Sequence, residues 1–150
     1  MASVLILVGV AAVALVGTTF TNIGLGWYYQ SNIPAFAPSG QTIGMIWTVI
    51  FILSAVAINL WWGEAKDHRW WQVVWLMVLN GLLNIVWSFL FFVKGWIIAA
   101  TIEMVALEAT IIGLIWLMWP KNKTAASLLI PYAVWVGFAT FLAYSFFVAN

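Results

Sequence analysis

Gly63-Glu64-Ala65-Lys66-Asp67-His68-Arg69 gathers four of the chain's nine charged residues, and its one histidine, into a single short segment. Upstream of Glu64 no side chain carries a formal charge, and downstream Trp70–Val93 is a second uncharged run. A segment this polar between two such runs is a turn at a water boundary, with a run entering an apolar medium on either side. A hydrocarbon core of ~30 Å takes roughly 20 residues of helix at ~1.5 Å each. The upstream run is too long for one crossing, so a break has to lie inside it.

That break is Asn22–Thr42, punctuated by Gly24, Gly26, Pro34, Pro38 and Gly40, residues that interrupt helices more readily than they continue them. The expected spans are therefore 3–21, 43–62 and 70–93. Lys94-Gly95 is a minimal connection to a fourth span at 96–119, and Pro120-Lys-Asn-Lys123 separates it from a fifth at 125–148. The expected fold class is an all-α membrane protein with one domain over 1–150, a five-transmembrane-helix bundle whose long first loop acts as a lid. The first run lacks a basic n-region, and Gly17-Thr-Thr is no A-x-A site, so it reads as a helix rather than a signal peptide. Continuous apolar runs without two-residue alternation argue against a β-barrel.

Composition leads to the same class. Apolar residues make up 66% of the 150 and charged residues 6%, against about 25% charged in soluble domains. Mean hydropathy is +1.10, and so few charges cannot solvate a soluble exterior. Without cysteine, thiolate catalysis, cysteine metal sites, covalent haem attachment and disulfides are excluded. One histidine leaves no multi-histidine site, so no metal and no cofactor are expected. A net charge of +1 gives no footprint for nucleic acid. Lys66, Arg69, Lys121 and Lys123 fall on the N-terminal side of the bundle and only Lys94 on the other. By the positive-inside rule the N-terminus is cytoplasmic and the first loop is outside.

Twelve tryptophans need a physical reason. Trp61, Trp62, Trp70, Trp71, Trp116 and Trp119 fall where helices meet the second and fourth loops, which reads as an aromatic belt at headgroup level, with Trp27 and Trp96 doing the same at the other face. Trp135 differs, lying ~15 Å deep by helical rise within the fifth span. Trp47 and Trp87 lie roughly one to two turns below the first-loop face. Indole N–H groups at these depths need partners, so the rings either pack helices or wall a pocket.

The third span carries Asn80, Asn84 and Ser88 every four residues, one stripe flanked by Trp87 and Phe91. Unpaired amides facing lipid would be costly. The stripe is either interhelical hydrogen-bond glue, at ~0.6–2 kcal/mol per contact, or the polar seam of a cavity. Glu103 and Glu108 have no basic residue at matching depth. A midplane acid costs roughly 2.5–3.5 kcal/mol on insertion scales and marks a functional site by default. The bland alternative is a polar contact to Asn80 or Asn84. Their spacing turns ~500°, setting the carboxyls ~140° apart, so they form no acid–base dyad. Pro131 predicts a kink or a late start in the fifth helix. The first loop is uncharged and aromatic where a solvated linker would carry charge, and a loop of ~20 residues in a compact domain is commonly a lid or binding element.

Four patches occur in order: Trp27-Tyr28 followed by Pro34 and Pro38, Trp47-Thr48, Asn80-x-x-x-Asn84-x-x-Trp87-Ser88 with Phe91-Phe92, and Leu129-Ile-Pro-Tyr-Ala-Val-Trp-Val-Gly-Phe-Ala-Thr140. Together they resemble the TspO/MBR family, the tryptophan-rich sensory proteins that include the mitochondrial translocator. Glu103 falls where that family usually has an acid. The chain departs from the pattern at Ile33, Phe36 and Ser39, where the first loop of the family has Lys, Trp and Pro. Ala143 stands for a frequent Asn, Glu108 has no expected counterpart, and no basic residue follows Tyr144.

The resemblance implies a five-helix bundle in membrane lipid, often a homodimer, with a pocket under the first loop for porphyrins, sterols or synthetic aromatic ligands. Carried onto this sequence, it implies a tetrapyrrole stacked on Trp47 and Trp135, closed over by Tyr28 and Pro34 and oriented by Asn84 or Ser88. Trp87, Phe91, Phe138 and Ala139 complete the implied wall, with Asn80 and Glu103 as polar members. Three functions follow. One is a receptor or transporter of such ligands. The second is a light- and oxygen-dependent porphyrin-degrading enzyme that uses Trp47 and Trp135. The third is a small scaffold with a vestigial pocket. No nucleophile–base pair is readable, because His68 sits in a surface turn beside Asp67, and hydrolysis is not expected.

Overall fold

The computed structural model describes residues 2–150. Five of its helices are long and apolar enough to cross a membrane, and no strand occurs among the described residues. Helix α1 (Ala2–Gln30) is joined to α2 (Gly40–Trp62) by Ser31–Ser39. It thus continues about two and a half turns beyond Thr21, passing through Gly24 and Gly26. Packing explains why. A Cβ on Gly24 would stand 2.3 Å from the Phe92 carbonyl oxygen and 2.7 Å from its Cα. In a membrane helix such a glycine lets two backbones touch instead of ending the helix.

Phe92 belongs to a π-helical turn, Phe89–Val93, that completes α3 (His68–Ser88). Its signature is the Lys94 N–H donating to the Phe89 carbonyl, five residues back, at 3.0 Å. Trp27 Nε1 donates to the Phe92 carbonyl at 2.8 Å. Trp27 therefore ties α1 to the end of α3, an interior role in place of the belt position expected for it. Gly95, at φ 65°, reverses the chain in a left-handed conformation that other residues adopt only with strain. Helix α4 (Ile97–Met118) then returns, a short α5 (Lys123–Ser127) follows, and α6 (Ile130–Ala149) completes the fifth crossing. Pro131 sits in the first turn of α6, where a missing N–H leaves no bond unmade. This is the late start that Pro131 predicts.

The α2–α3 and α4–α5 turns are stitched together. Asp67 caps α3 by accepting from the Trp70 backbone N–H at 2.9 Å and pairs with Lys121. Asn122 caps α5 and donates to Glu64 Oε1 at 2.9 Å. The Lys121 ammonium, aided by the Trp70 N–H, holds the Asp67 carboxyl below the usual carboxylate range.

Beneath these turns lies one of two cores, which includes Trp61, Trp70, Val73, Leu114 and Met118. Trp61 is 0% and Trp70 2% exposed, which corrects the belt reading for both. Position along a helix sets depth, but the face a ring occupies decides whether it meets lipid or core. Trp71, Trp116 and Trp119 remain exposed, as a belt requires. The second core, in the first-loop half, is built on Ile50, Phe91, Met104, Tyr132, Trp135 and Phe146. Helix α3 packs on α4 and α4 on α6, while α1 packs on α2, on α3 and on the π turn. Helices α2 and α6 do not pack closely, and the interior stays open between them.

Candidate ligand-binding cavity

That opening is a cavity of about 420 Å³ bounded by α1, α2, the α3–π segment and α6. Its wall carries aromatic rings on all four of those sides. Helix α2 contributes Trp47 and Phe51, stacked at 5.7 Å and 30°. The α3–π segment contributes Trp87 and Phe91, stacked at 5.5 Å and 25°. Trp47 and Trp87 lie 6.4 Å apart at 32°, so one slanted aromatic wall spans two helices. Tyr28 lies flat against Phe146 at 5.4 Å and 10°, closing the first-loop end, and Trp135 lines the cavity from α6.

Polar groups converge on one flank. Asn84 Nδ2 donates to the Tyr132 hydroxyl at 2.8 Å, and that hydroxyl donates to Asn80 Oδ1 at 3.2 Å. Asn80 Nδ2 donates to Thr110 Oγ1 at 2.8 Å, and Thr110 donates to the Leu107 carbonyl at 2.7 Å. The stripe on α3 therefore serves in both of the ways the sequence left open. Asn80 joins α3 to α4 and α6. Asn84 joins α3 to α6 and also faces the cavity, as does Ser88.

Eight of the residues expected at a site line this wall, namely Tyr28, Trp47, Asn84, Trp87, Ser88, Phe91, Trp135 and Ala139. Asn80 lies behind the wall in the hydrogen-bond chain. Phe138 turns to a shallow groove on the outer side of α6, beside Ile46 and Val134. Glu103 is apart from the cavity, and both of its carboxyl oxygens are buried without a partner, so neither makes the contact to Asn80 or Asn84 that was the plain expectation. Glu108 Oε2 is likewise unpartnered. Pro34 lies in the Ser31–Ser39 connection, none of which lines the cavity. That connection is fastened to the end of α6. The Asn32 N–H donates to Asn150 Oδ1 at 2.9 Å, Asn150 Nδ2 donates to the Asn32 carbonyl at 3.1 Å, and Phe36 stacks on Phe141.

Two features, one in the wall and one in the hydrogen-bond chain behind it, escaped the sequence reading. Thr18, Thr21 and Asn22 give α1 a polar face toward the cavity. Their i, i+3, i+4 spacing in an apolar span was the available signal. Tyr132, the hub of the hydrogen-bond chain, sits one turn before Trp135, and a buried hydroxyl there calls for a partner. No Asp, Glu, His, Lys or Arg lines the cavity, so the wall offers stacking surface and neutral hydrogen-bond groups rather than an acid–base pair. No cluster of three metal-ligating side chains occurs among the described residues.

Comparison with known proteins places the chain. Residues 3–149 match the TspO/MBR family. The chain is 32% identical over 126 residues to the tryptophan-rich protein TspO of Bacillus cereus, covering 83% of this chain and 80% of that one. It is 32% identical over 142 residues to the tryptophan-rich protein TspO of Chlorobaculum tepidum, covering 93% and 89%. It is 28% identical over 135 residues to the human translocator protein, covering 86% and 78%.

Proposed function

The chain belongs to the TspO/MBR family, and we propose that it is a receptor- or transporter-like membrane protein that binds porphyrins or other flat hydrophobic ligands in the cavity between α1, α2, α3 and α6. One observation carries this reading: the continuous Trp47–Trp87–Phe91 wall, with Trp135 on α6 and neutral polar groups on the flank. A flat conjugated ring gains offset stacking there, about 0.5–1.5 kcal/mol per aromatic pair beyond the burial of its surface. Asn84, Ser88, Thr18 and Asn22 supply orientation through neutral hydrogen bonds. Homodimerisation in the membrane belongs to the same proposal, on family grounds.

A second reading is oxidation of the bound porphyrin by oxygen in light. It is favoured by two oxidisable indoles, Trp47 and Trp135, in the wall. Titrating the detergent-purified protein with protoporphyrin IX, first in the dark and then under illumination, tests both. Saturable quenching of tryptophan fluorescence in the dark, with a stable porphyrin spectrum in light, is the expected result. A new absorbing species formed faster than from free porphyrin would favour the enzyme, and unsaturable quenching would remove both readings.

A further inference from the structure

We propose that the seam between α1 and α2 is a lateral portal through which the cavity exchanges its hydrophobic ligand with the bilayer. The inference rests on the ligand-binding reading above. A second hollow, of about 620 Å³, runs along this seam on the α2–α3 turn side of the cavity. Leu7 and Ala11 on α1 face Ile52, Val56 and Leu60 on α2 across it. Leu7, Ile52 and Val56 are 54%, 58% and 45% exposed, so the hollow opens toward lipid rather than toward the bundle.

The hollow and the cavity share three wall residues, Ala14, Thr48 and Phe51. A methyl group, a threonine and one ring therefore stand between the two spaces, and they form the neck of the proposed portal. Thr48 Oγ1 donates to the Gly44 carbonyl at 2.9 Å, so the neck presents no unpaired donor to an apolar molecule passing it. Phe51 is the largest of the three side chains. It stacks on Trp47, and a turn of that one ring widens or closes the neck. The small side chains of Ala11 and Ala14 leave the space that a larger residue would fill.

Neither the hollow nor the cavity is lined by a charged residue. A ligand that partitions into lipid thus travels the whole seam without exposing apolar surface to water. The other conceivable route, through the first loop, is closed by the Asn32–Asn150 hydrogen bonds and the Phe36–Phe141 stack.

The test uses the full chain in phosphatidylcholine proteoliposomes. Protoporphyrin IX is added, partitions into the bilayer, and the protein-dependent phase of tryptophan quenching is followed by stopped flow. Ala11 lines the hollow but not the cavity, so Ala11→Phe plugs the path while sparing the wall. Gly9→Phe is the control, since nothing lies within 4 Å of a Cβ there and it lines neither space. Asn150→Ala loosens the first loop. Ala11→Phe is expected to slow association and dissociation alike by about tenfold while equilibrium affinity stays within about twofold. Ala11→Leu moves both rates in the same direction by less, and Gly9→Phe and Asn150→Ala match the wild type. Unchanged rates in Ala11→Phe and Ala11→Leu with binding intact, or faster exchange in Asn150→Ala, would overturn the portal and leave the binding site standing. Absence of saturable quenching in the wild type would overturn the binding reading itself, and the portal with it.

Discussion

At Gly24 a hydrogen in place of a methyl lets α1 lie against the Phe92 carbonyl, which Trp27 also grips. The atoms that an added Cβ would meet there are mostly backbone and cannot swing aside. Gly24→Ala is therefore expected to lower stability by about 1–3 kcal/mol through overpacking, read as a lower midpoint of thermal unfolding in detergent. Gly44→Ala, with nothing within 4 Å, serves as the tolerated comparison. Tyr132→Phe removes the hydroxyl that links Asn84 to Asn80. The expected cost is about 0.6–2 kcal/mol, measured the same way. The indoles at 47, 87 and 135 and the amide at 84 were legible in the sequence because such groups are expensive at depth and must have a destination. Gly24 was not, since glycine reads as a breaker until the neighbouring backbone is known. The Thr18–Asn22 face was hidden for another reason: threonine satisfies itself within a helix, as Thr21 does on Gly17, and so does not announce a cavity.

Among the elements, the five spans and the delayed start of α6 follow from charge placement and Pro131. The π turn does not. Its wider turn leaves no trace in Phe-Leu-Phe-Phe-Val, and it shows only in the structure, where α1 packs against it. The length of α1 was masked by the same glycines, so the connection Ser31–Ser39 is shorter than composition suggested. At the opposite end the Asp67–Lys121 pair joins two turns. The folded-state pKa of Asp67 lies below its unfolded value, so the pair's contribution is fully present above the unfolded pKa. It fades as pH falls through the depressed one. Thermal unfolding followed from neutral to strongly acidic pH is expected to show a small loss in that acidic range for the wild type, reduced in Asp67→Asn. The effect is small because the carboxylate is exposed and screened. An equal loss in both would mean that the Asp67–Lys121 pair does not contribute to stability.

For the molecule as a whole, the positive-inside rule applied to the basic residues gives an expected orientation. Gln30, at the end of α1, lies on the first-loop side, opposite Lys66, Arg69, Lys121 and Lys123. In a chain without cysteine, Gln30→Cys is expected to react in intact cells with an impermeant thiol reagent. Labelling only after lysis would invert the topology while keeping the five crossings. If the aromatic cavity is a ligand site, equilibrium titration of tryptophan fluorescence with protoporphyrin IX will separate Trp47→Ala and Trp135→Ala from Trp119→Ala and the wild type. Trp47 and Trp135 line the cavity, whereas Trp119 is 42% exposed at the far end of α4. Saturable one-site quenching is expected, weakened about tenfold or about 1.4 kcal/mol by each cavity substitution and unchanged by Trp119→Ala. Equal losses at all three positions, or quenching that never saturates, would mean that the porphyrin partitions into the surrounding detergent and that the cavity is not its site.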